Sequence, residues 1–347
     1  MLPSRPGAGI AGWWRATRYH FVPPSFLPAA LGAFVAWSAA GQLDLRLYLV
    51  VLLAVIFNHI ALNMTDDYFD YRHSVDRARG REKNPYSGGS GLLTSGRIAP
   101  SRMLAAFCAL YGLTVAAGLY LTAVRGWPVL LFGMFGMACA FFYTAPPVRY
   151  GYHGLGELSQ LVNFSLTIGL GSCYVQSRGL SWEAAAAVLP LGFMMFAMIT
   201  VNEIPDEPED REGGKGTLVV RLGLRAGVGL YAGAMAAAYL VILGAPLAGL
   251  ASRWAWLGLA TLPWFVRAVR ILARNYRDPV AMAPANLLTI RIHNLTGLLL
   301  VAGLLIHGAQ LDLPMGRAWA AAGILLALYL PVAWKVFRPA RPRLSPG

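Results

Sequence analysis

The sequence predicts an all-α, polytopic membrane helical bundle. Three observations carry that prediction: composition, the length of the charge-free runs and the one-sided placement of basic residues. Of 347 residues, 57% are hydrophobic and 13% charged, against about 45–50% and about 25% in an average soluble domain. An apolar run needs about 20 residues to cross a hydrocarbon core of about 30 Å. Charge-free stretches of 17 residues or more cover 19–43, 47–65, 103–124, 126–148, 158–177, 184–202, 226–252, 292–311 and 318–334. A further span at about 250–272 carries Arg267 and Arg270 in its last turns, where long cationic side chains reach back to the interface.

Ten spans put the amino terminus and every second loop on one side. That side holds 24 of the 29 Lys and Arg residues, and the other only Arg46, Arg125, Arg178, Arg253 and Arg317. The positive-inside rule therefore places both termini in the cytoplasm and the chain in the inner, cytoplasmic membrane. The split also requires the span at 250–272, without which the basic tail would lie outside. No cleavable signal is expected, because the first run follows a basic lead and ends without a small-residue cleavage pattern. The net charge of +13 is spread between apolar runs, which argues against nucleic acid as a partner. Cys108, Cys139 and Cys173 fall within apolar stretches without metal-type spacing, so neither a disulfide framework nor a zinc site is expected.

The acidic residues are concentrated. Asp66, Asp67, Asp70, Asp76 and Glu82 follow the second span, and Glu203, Asp206, Glu207, Glu209, Asp210 and Glu212 follow the sixth. Four spans separate the windows, so both emerge on the cytoplasmic side. Asn63, Asp66 and Asp70 share one helix face, as do Asn202, Asp206 and Asp210, at i, i+3/i+4 spacing. Like charges on one face repel, more so at the negative end of a helix dipole, and a divalent cation relieves them. A few carboxylates suit Mg²⁺, which keeps waters and completes its octahedron with phosphate oxygens. Two such clusters at a membrane surface read as a clamp for a diphosphate whose organic part lies in the bilayer. The competing reading is a solvated acidic loop. Against it, the clusters recur at matching helix ends, and the polar face continues into the membrane through Asn58 and His59.

Cations near the clusters are candidates for the diphosphate: Arg77, Arg81 and Lys83 after the first, Arg211 and Lys215 after the second. A topology-setting role is the alternative for each. Arg18 begins the first span beside Trp13 and Trp14 and reads first as an interfacial anchor, with reach to the site as the alternative. NPYSGGSGLLTSG at 84–96 reads either as a lid over the diphosphate or as a connector. His59, one turn before Asn63, is a candidate to orient an acceptor hydroxyl, with Tyr68, Gln160 and Asn163 as further pocket candidates. An interhelical hydrogen bond is the alternative for these four. His293 and His307 read as interfacial.

The strings NMTDDYFDYRHSVD (63–76) and NEIPDEPEDREGGKGTLVVRLG (202–223) resemble the paired Asp-rich motifs of the UbiA superfamily of intramembrane prenyltransferases. YTAPPVRYGYHGLGELSQLVNFSLTIGLGSCYVQ (143–176) is similar to the corresponding segment of its MenA branch, which prenylates 1,4-dihydroxy-2-naphthoate in menaquinone synthesis. The resemblance covers roughly residues 10–310. It implies nine transmembrane helices around a central cavity, with 318–334 as a tenth, C-terminal helix. The corresponding parts are a lead at 1–18, the prenyltransferase domain at 19–310, and the extra helix and basic tail at 311–347. It further implies Mg²⁺, or Mn²⁺, held by both motifs, a polyprenyl diphosphate donor, an aromatic acceptor and a prenyl tail running to lipid.

Carried over residue by residue, Asp66, Asp70, Asp206 and Asp210 match the catalytic, metal-facing positions, with Asn63, Asp67, Asp76 and Asn202 in support. Asp66 stands where family members usually have Asn. Tyr143 and Arg149 match a tyrosine and a basic residue that meet the diphosphate, at a spacing of six rather than four. An acceptor carboxylate near Arg149 or Arg72 is one way to hold the ring. A related transferase with another acceptor and a terpene cyclase of the same fold remain as alternatives. A transporter is disfavoured, because these charges lie at helix ends rather than at the bilayer midplane.

Overall fold

The computed structural model describes residues 9–73, 84, 86–87 and 89–337. Among them every regular element is helical. Helix α1 (Ile10–Ala16) and a 3₁₀ turn (Tyr19–Phe21) lead into α2 (Pro23–Ala40), and α3 (Leu45–Arg72), α4 (Pro100–Arg125) and α5 (Pro128–Phe142) follow. A 3₁₀ turn at Tyr150–His153 precedes α6 (Gly156–Val162), which runs through one π turn (Asn163–Thr167) into α7 (Ile168–Ser177). The chain continues with α8 (Trp182–Glu212), α9 (Leu218–Leu222), α10 (Leu224–Leu247), a 3₁₀ segment (Arg253–Thr261) entering α11 (Leu262–Asn275), α12 (Ala283–Gln310) and α13 (Met315–Phe337).

Seven of these, α3, α4, α8, α10, Arg253–Asn275, α12 and Gly316–Phe337, are each long and apolar enough to cross a membrane. The lead and α2 pass the same test together but bend by 51°. All ten apolar stretches coincide with helical segments, and their boundaries shift for local reasons. Proline opens α4 and α5, where its missing N–H costs nothing. Asp44 caps α3 by accepting from the Leu47 N–H, and Ser181 caps α8 through Ala184. Helix α5 has 15 residues, fewer than the stretch at 126–148. Helix α12 begins at Ala283, well before the expected 292, and so contains Arg291. That guanidinium donates to the Val336 carbonyl at 2.9 Å and lies over the Phe337 ring, binding the end of α13. His293, expected at the interface, is instead fully buried.

Helices α2, α8 and α12 form the middle of the bundle, and α4 lies at its edge. Between α2 and α7 the backbones touch: a Cβ on Gly32 would fall 2.0 Å from the Gly169 carbonyl oxygen. Small residues permit such approach where apolar lipid gives helices no hydrophobic drive to associate. Helix α8 contains Pro205, which cannot donate to the Val201 carbonyl one turn back. Asn286 of α12 donates to that carbonyl at 3.0 Å and to Asn202 Oδ1 at 2.8 Å. The end of α8 that carries the second acidic cluster is thereby fixed to α12.

Candidate active site

Helix α3 runs past its apolar stretch to Arg72 and α8 to Glu212, so both acidic clusters ride on the last turns of long helices. The turns meet around one cavity lined by six carboxylates, Asp66, Asp70, Glu203, Asp206, Glu209 and Asp210, and by two cations, Arg18 and Lys215. Tyr143 and Asn202 line it as well, and with Arg18 and Asp66 they also line a chamber below, of mixed polar and apolar walls, beside His59, Gln160, Phe164, Met195 and Met198. An ionic mouth thus opens directly into a membrane-embedded chamber.

The mouth is cross-linked. Lys215 Nζ lies 3.1 Å from Asp70 Oδ2, and the Tyr152 hydroxyl donates to Asp70 Oδ1 at 2.6 Å. Burial opposes the Lys215 charge, but Asp70, Asp210 and Asp66 outweigh it and hold the ammonium well above its ordinary pKa. Burial and then Asp70 raise the Tyr152 phenol, which remains a donor. The loop after α8 is pinned to the segment before α6 and to the first turn of α6: the Gly216 N–H donates to the Tyr152 carbonyl, and the Leu218 N–H to Glu157 Oε1 at 2.6 Å. Of the glycine-rich stretch, Ser87 and Gly89 stand in the cavity wall, and Ser87 Oγ donates to Asp206 Oδ1 at 2.8 Å.

Several expected site residues stand elsewhere. Asp67 does not line the cavity; it accepts the Ser90 N–H at 3.0 Å and lies 3.8 Å from Arg18, so it holds the loop. Asn63 lines the chamber rather than the acidic cavity, and its amide donates to the Thr17 carbonyl at 3.1 Å. Arg211 points outward to Glu207 and the Val220 carbonyl. Arg149 stacks over Tyr152, behind Asp70, and Arg72 is exposed; neither is among the residues lining the cavity or the chamber. Tyr68 packs edge-on against Phe107. Asn163 faces a separate apolar crevice beside Gly136, off the face that Gln160 and Phe164 share on the chamber. His59 is in place, buried, 2.7 Å from Ser25 Oγ and edge-on to Phe164. Asp76, Arg77 and Lys83 lie outside the described residues.

Sequence reasoning gave Arg18 a place at the site only as the alternative, held Ser87 and Glu203 only as members of a loop and an acidic window, and missed Tyr152. Arg18 adopts a left-handed conformation (φ 47°) that turns the lead back over α3, bringing its guanidinium within 3.8 Å of both Asp66 and Asp67. A single basic residue before an apolar run carries no sign of that turn. Glu203 lay within the acidic window but off the i, i+4 series.

The donor set is oxygen-rich, and the buried Asp66 Oδ1 has no hydrogen-bond partner among the described residues, as expected of a group that meets a cation, whereas Glu203 lies against the Glu157 carboxyl. Among the described residues no three His, Cys, Asp or Glu side chains converge to cage a metal by themselves. Mg²⁺ does not require a cage, since one or two carboxylates suffice when phosphate oxygens and water complete its shell. The residues therefore fit that ion.

A helical bundle with paired acidic clusters at the mouth of an internal chamber has the form of a membrane enzyme. The model of the UbiA prenyltransferase family matches residues 25–290; the chain belongs to that family and is a prenyltransferase. It is 30% identical over 293 residues to the 1,4-dihydroxy-2-naphthoate octaprenyltransferase of Bacillus subtilis, covering 84% of this chain and 92% of that protein. It is 32% identical over 299 residues to the Escherichia coli enzyme of the same name, covering 84% and 94%. Among solved structures, a UbiA homologue from Aeropyrum pernix superposes with a TM-score of 0.59 at 16% identity, over 81% of this chain and 97% of that one. One from Archaeoglobus fulgidus, bound to GPP and Mg²⁺, superposes with a TM-score of 0.58 at 13% identity, over 83% and 99%.

Proposed function

We propose that this protein transfers a long polyprenyl group from its diphosphate to 1,4-dihydroxy-2-naphthoate at the cytoplasmic face of the inner membrane, in menaquinone synthesis. The observation that carries this reading is that the acidic cavity and the chamber below it share Arg18, Asp66, Tyr143, Ile199 and Asn202, while Phe164, Met195 and Met198 give the chamber an apolar wall. Asp66, Asp70, Asp206 and Asp210, with Asn202, would hold Mg²⁺. When bound, Mg²⁺ supplies positive charge to the departing diphosphate. Lys215 and Arg18 add fixed cations at the same mouth. The chamber keeps water from the allylic carbon while its C–O bond breaks and a bond to the aromatic carbon forms. The ring proton released afterwards has carboxylate and diphosphate oxygens in reach, so no strong base is required. A tail leaving through membrane helices has no fixed length limit. The naphthoate acceptor is supported by the relatives' names and by the similarity at 143–176.

The test incubates the purified full chain with radiolabelled polyprenyl diphosphate and a panel of aromatic acids. Prenylated naphthoate is the expected product, lost in excess EDTA and restored by Mg²⁺. Transfer to 4-hydroxybenzoate alone would reassign the acceptor, a cyclic hydrocarbon formed without acceptor would make it a cyclase, and full turnover in EDTA would remove the metal. Orientation is tested separately. Cysteines replacing Ser87 and Pro208, in a chain lacking the three native cysteines, should label from the cytoplasmic face, and one replacing Ser177 from the opposite face. Labelling of Ser87 and Pro208 positions from different faces would overturn the paired clamp.

A further inference from the structure

Beside the acidic cavity lies a second one of opposite character. Its walls carry Arg15 and Trp14 from α1, Tyr19 and His20 from the 3₁₀ turn, and Lys335 from the end of α13. No carboxylate is among its described lining residues, whereas the acidic cavity has six. The two share Arg18, Ser87 and Gly89, and Phe21 and Arg18 also border the chamber. The basic pocket is therefore in contact with both halves of the site. Its parts are tied together: Lys335 Nζ lies 3.0 Å from His20 Nδ1, the Tyr19 hydroxyl donates to the Leu328 carbonyl of α13 at 3.1 Å, and the Trp14 and Tyr19 rings lie 5.2 Å apart.

Cations beside flat aromatic faces suit a ligand that is both anionic and planar. The acidic cavity supplies neither a free anion site nor an aromatic wall of this kind, and neither Arg149 nor Arg72 lines the cavity or the chamber. We propose that this pocket is the entry and docking subsite for the carboxylate of the aromatic acceptor. In it Arg15, Lys335 and His20 hold the carboxylate, and the ring passes Arg18 and Phe21 toward the prenyl donor. The inference rests on the proposed reaction with an aromatic acid. It gives α13, which packs on α2, α12 and the 3₁₀ turn, a part in acceptor binding.

The test uses the full chain in lipid vesicles, with Lys335→Gln and Lys335→Arg. Lys335 is exposed, so neither change threatens the fold. KM is measured separately for the donor, for 1,4-dihydroxy-2-naphthoate and for 1,4-dihydroxynaphthalene, which lacks the carboxylate. Loss of a charge-assisted contact in Lys335→Gln should raise KM for the naphthoate by about five- to tenfold. Lys335→Arg should stay within about twofold of wild type. KM for the donor and for the carboxylate-free diol should not move. An unchanged naphthoate KM, an equal rise for the diol, or a rise for the donor would each overturn the subsite. So would a change seen only when anionic lipid is varied, which would mark a headgroup site.

Equilibrium binding of the labelled naphthoate separates this proposal from the reaction itself. Lys335-dependent binding without any turnover would sustain the subsite and overturn the reaction. Turnover with Lys335-independent binding would do the opposite.

Discussion

Asp206→Ala is expected to slow prenyl transfer by at least about 10²-fold, since removing one preorganised group that stabilises developing charge costs about 3 kcal/mol. Asp206 lines the cavity from α8 and accepts from Ser87 of the glycine-rich stretch, so the variant loses a carboxylate and its hydrogen bond to Ser87. Asp70→Ala should fall as far. Its carboxylate is shared between Lys215 and Tyr152, and its loss releases both. Asp67→Asn is the informative contrast. Asp67 is buried beneath the Ser90 N–H, away from the cavity lining, so its replacement should lower thermal stability more than the single-turnover rate. Wild-type turnover by Asp206→Ala would remove the second motif from the site.

The second large effect is structural. A Cβ at Gly32 would fall 2.0 Å from the Gly169 carbonyl oxygen and 3.1 Å from the Cys173 nitrogen. Backbone cannot move aside as a side-chain tip can, so Gly32→Val should separate α2 from α7 at a cost of at least about 3 kcal/mol. The expected result is loss of monodisperse protein on detergent extraction, or a clear fall in its thermal midpoint by tryptophan fluorescence. Gly112→Ala on α4 is the control, because nothing lies within 4 Å of a Cβ there; it should extract normally. Normal stability of Gly32→Val would show that the two helices do not meet as described.

Asp66, Asp70, Asp206 and Asp210 were legible as one group because i, i+4 spacing on a helix fixes a common face, and the charge asymmetry puts both helix ends on the same side. Asp67 was not separable from Asp66 by type. One residue along a helix turns the side chain by about 100°, which here sends it to Ser90 rather than to the cavity. Arg18 was legible at the site only as the alternative to an interfacial anchor, because its place depends on the lead folding back, a tertiary fact set by one left-handed residue. The start of α12 was missed because a charge was taken to end a helix, whereas Arg291 is accommodated by the last carbonyls of α13. Asn163 was a pocket candidate by type alone; Gln160 and Phe164, at i, i+4 spacing, share the chamber face, and Asn163 lies off that face on the separate crevice.

The π turn makes the length of its segment as important as its composition. One wide turn at Asn163–Thr167 is equivalent to a single inserted residue. Deleting one of the five would close it into regular α-helix with the flanking segments still in register, whereas closing it at unchanged length would rotate 156–162 against 168–177 by about 100°. Gln160 would leave the chamber wall, and Glu157 would leave the Leu218 N–H that anchors the loop carrying Lys215. A one-residue deletion, the smallest change of length, therefore spares both contacts, whereas a substitution that shuts the turn at constant length loses them.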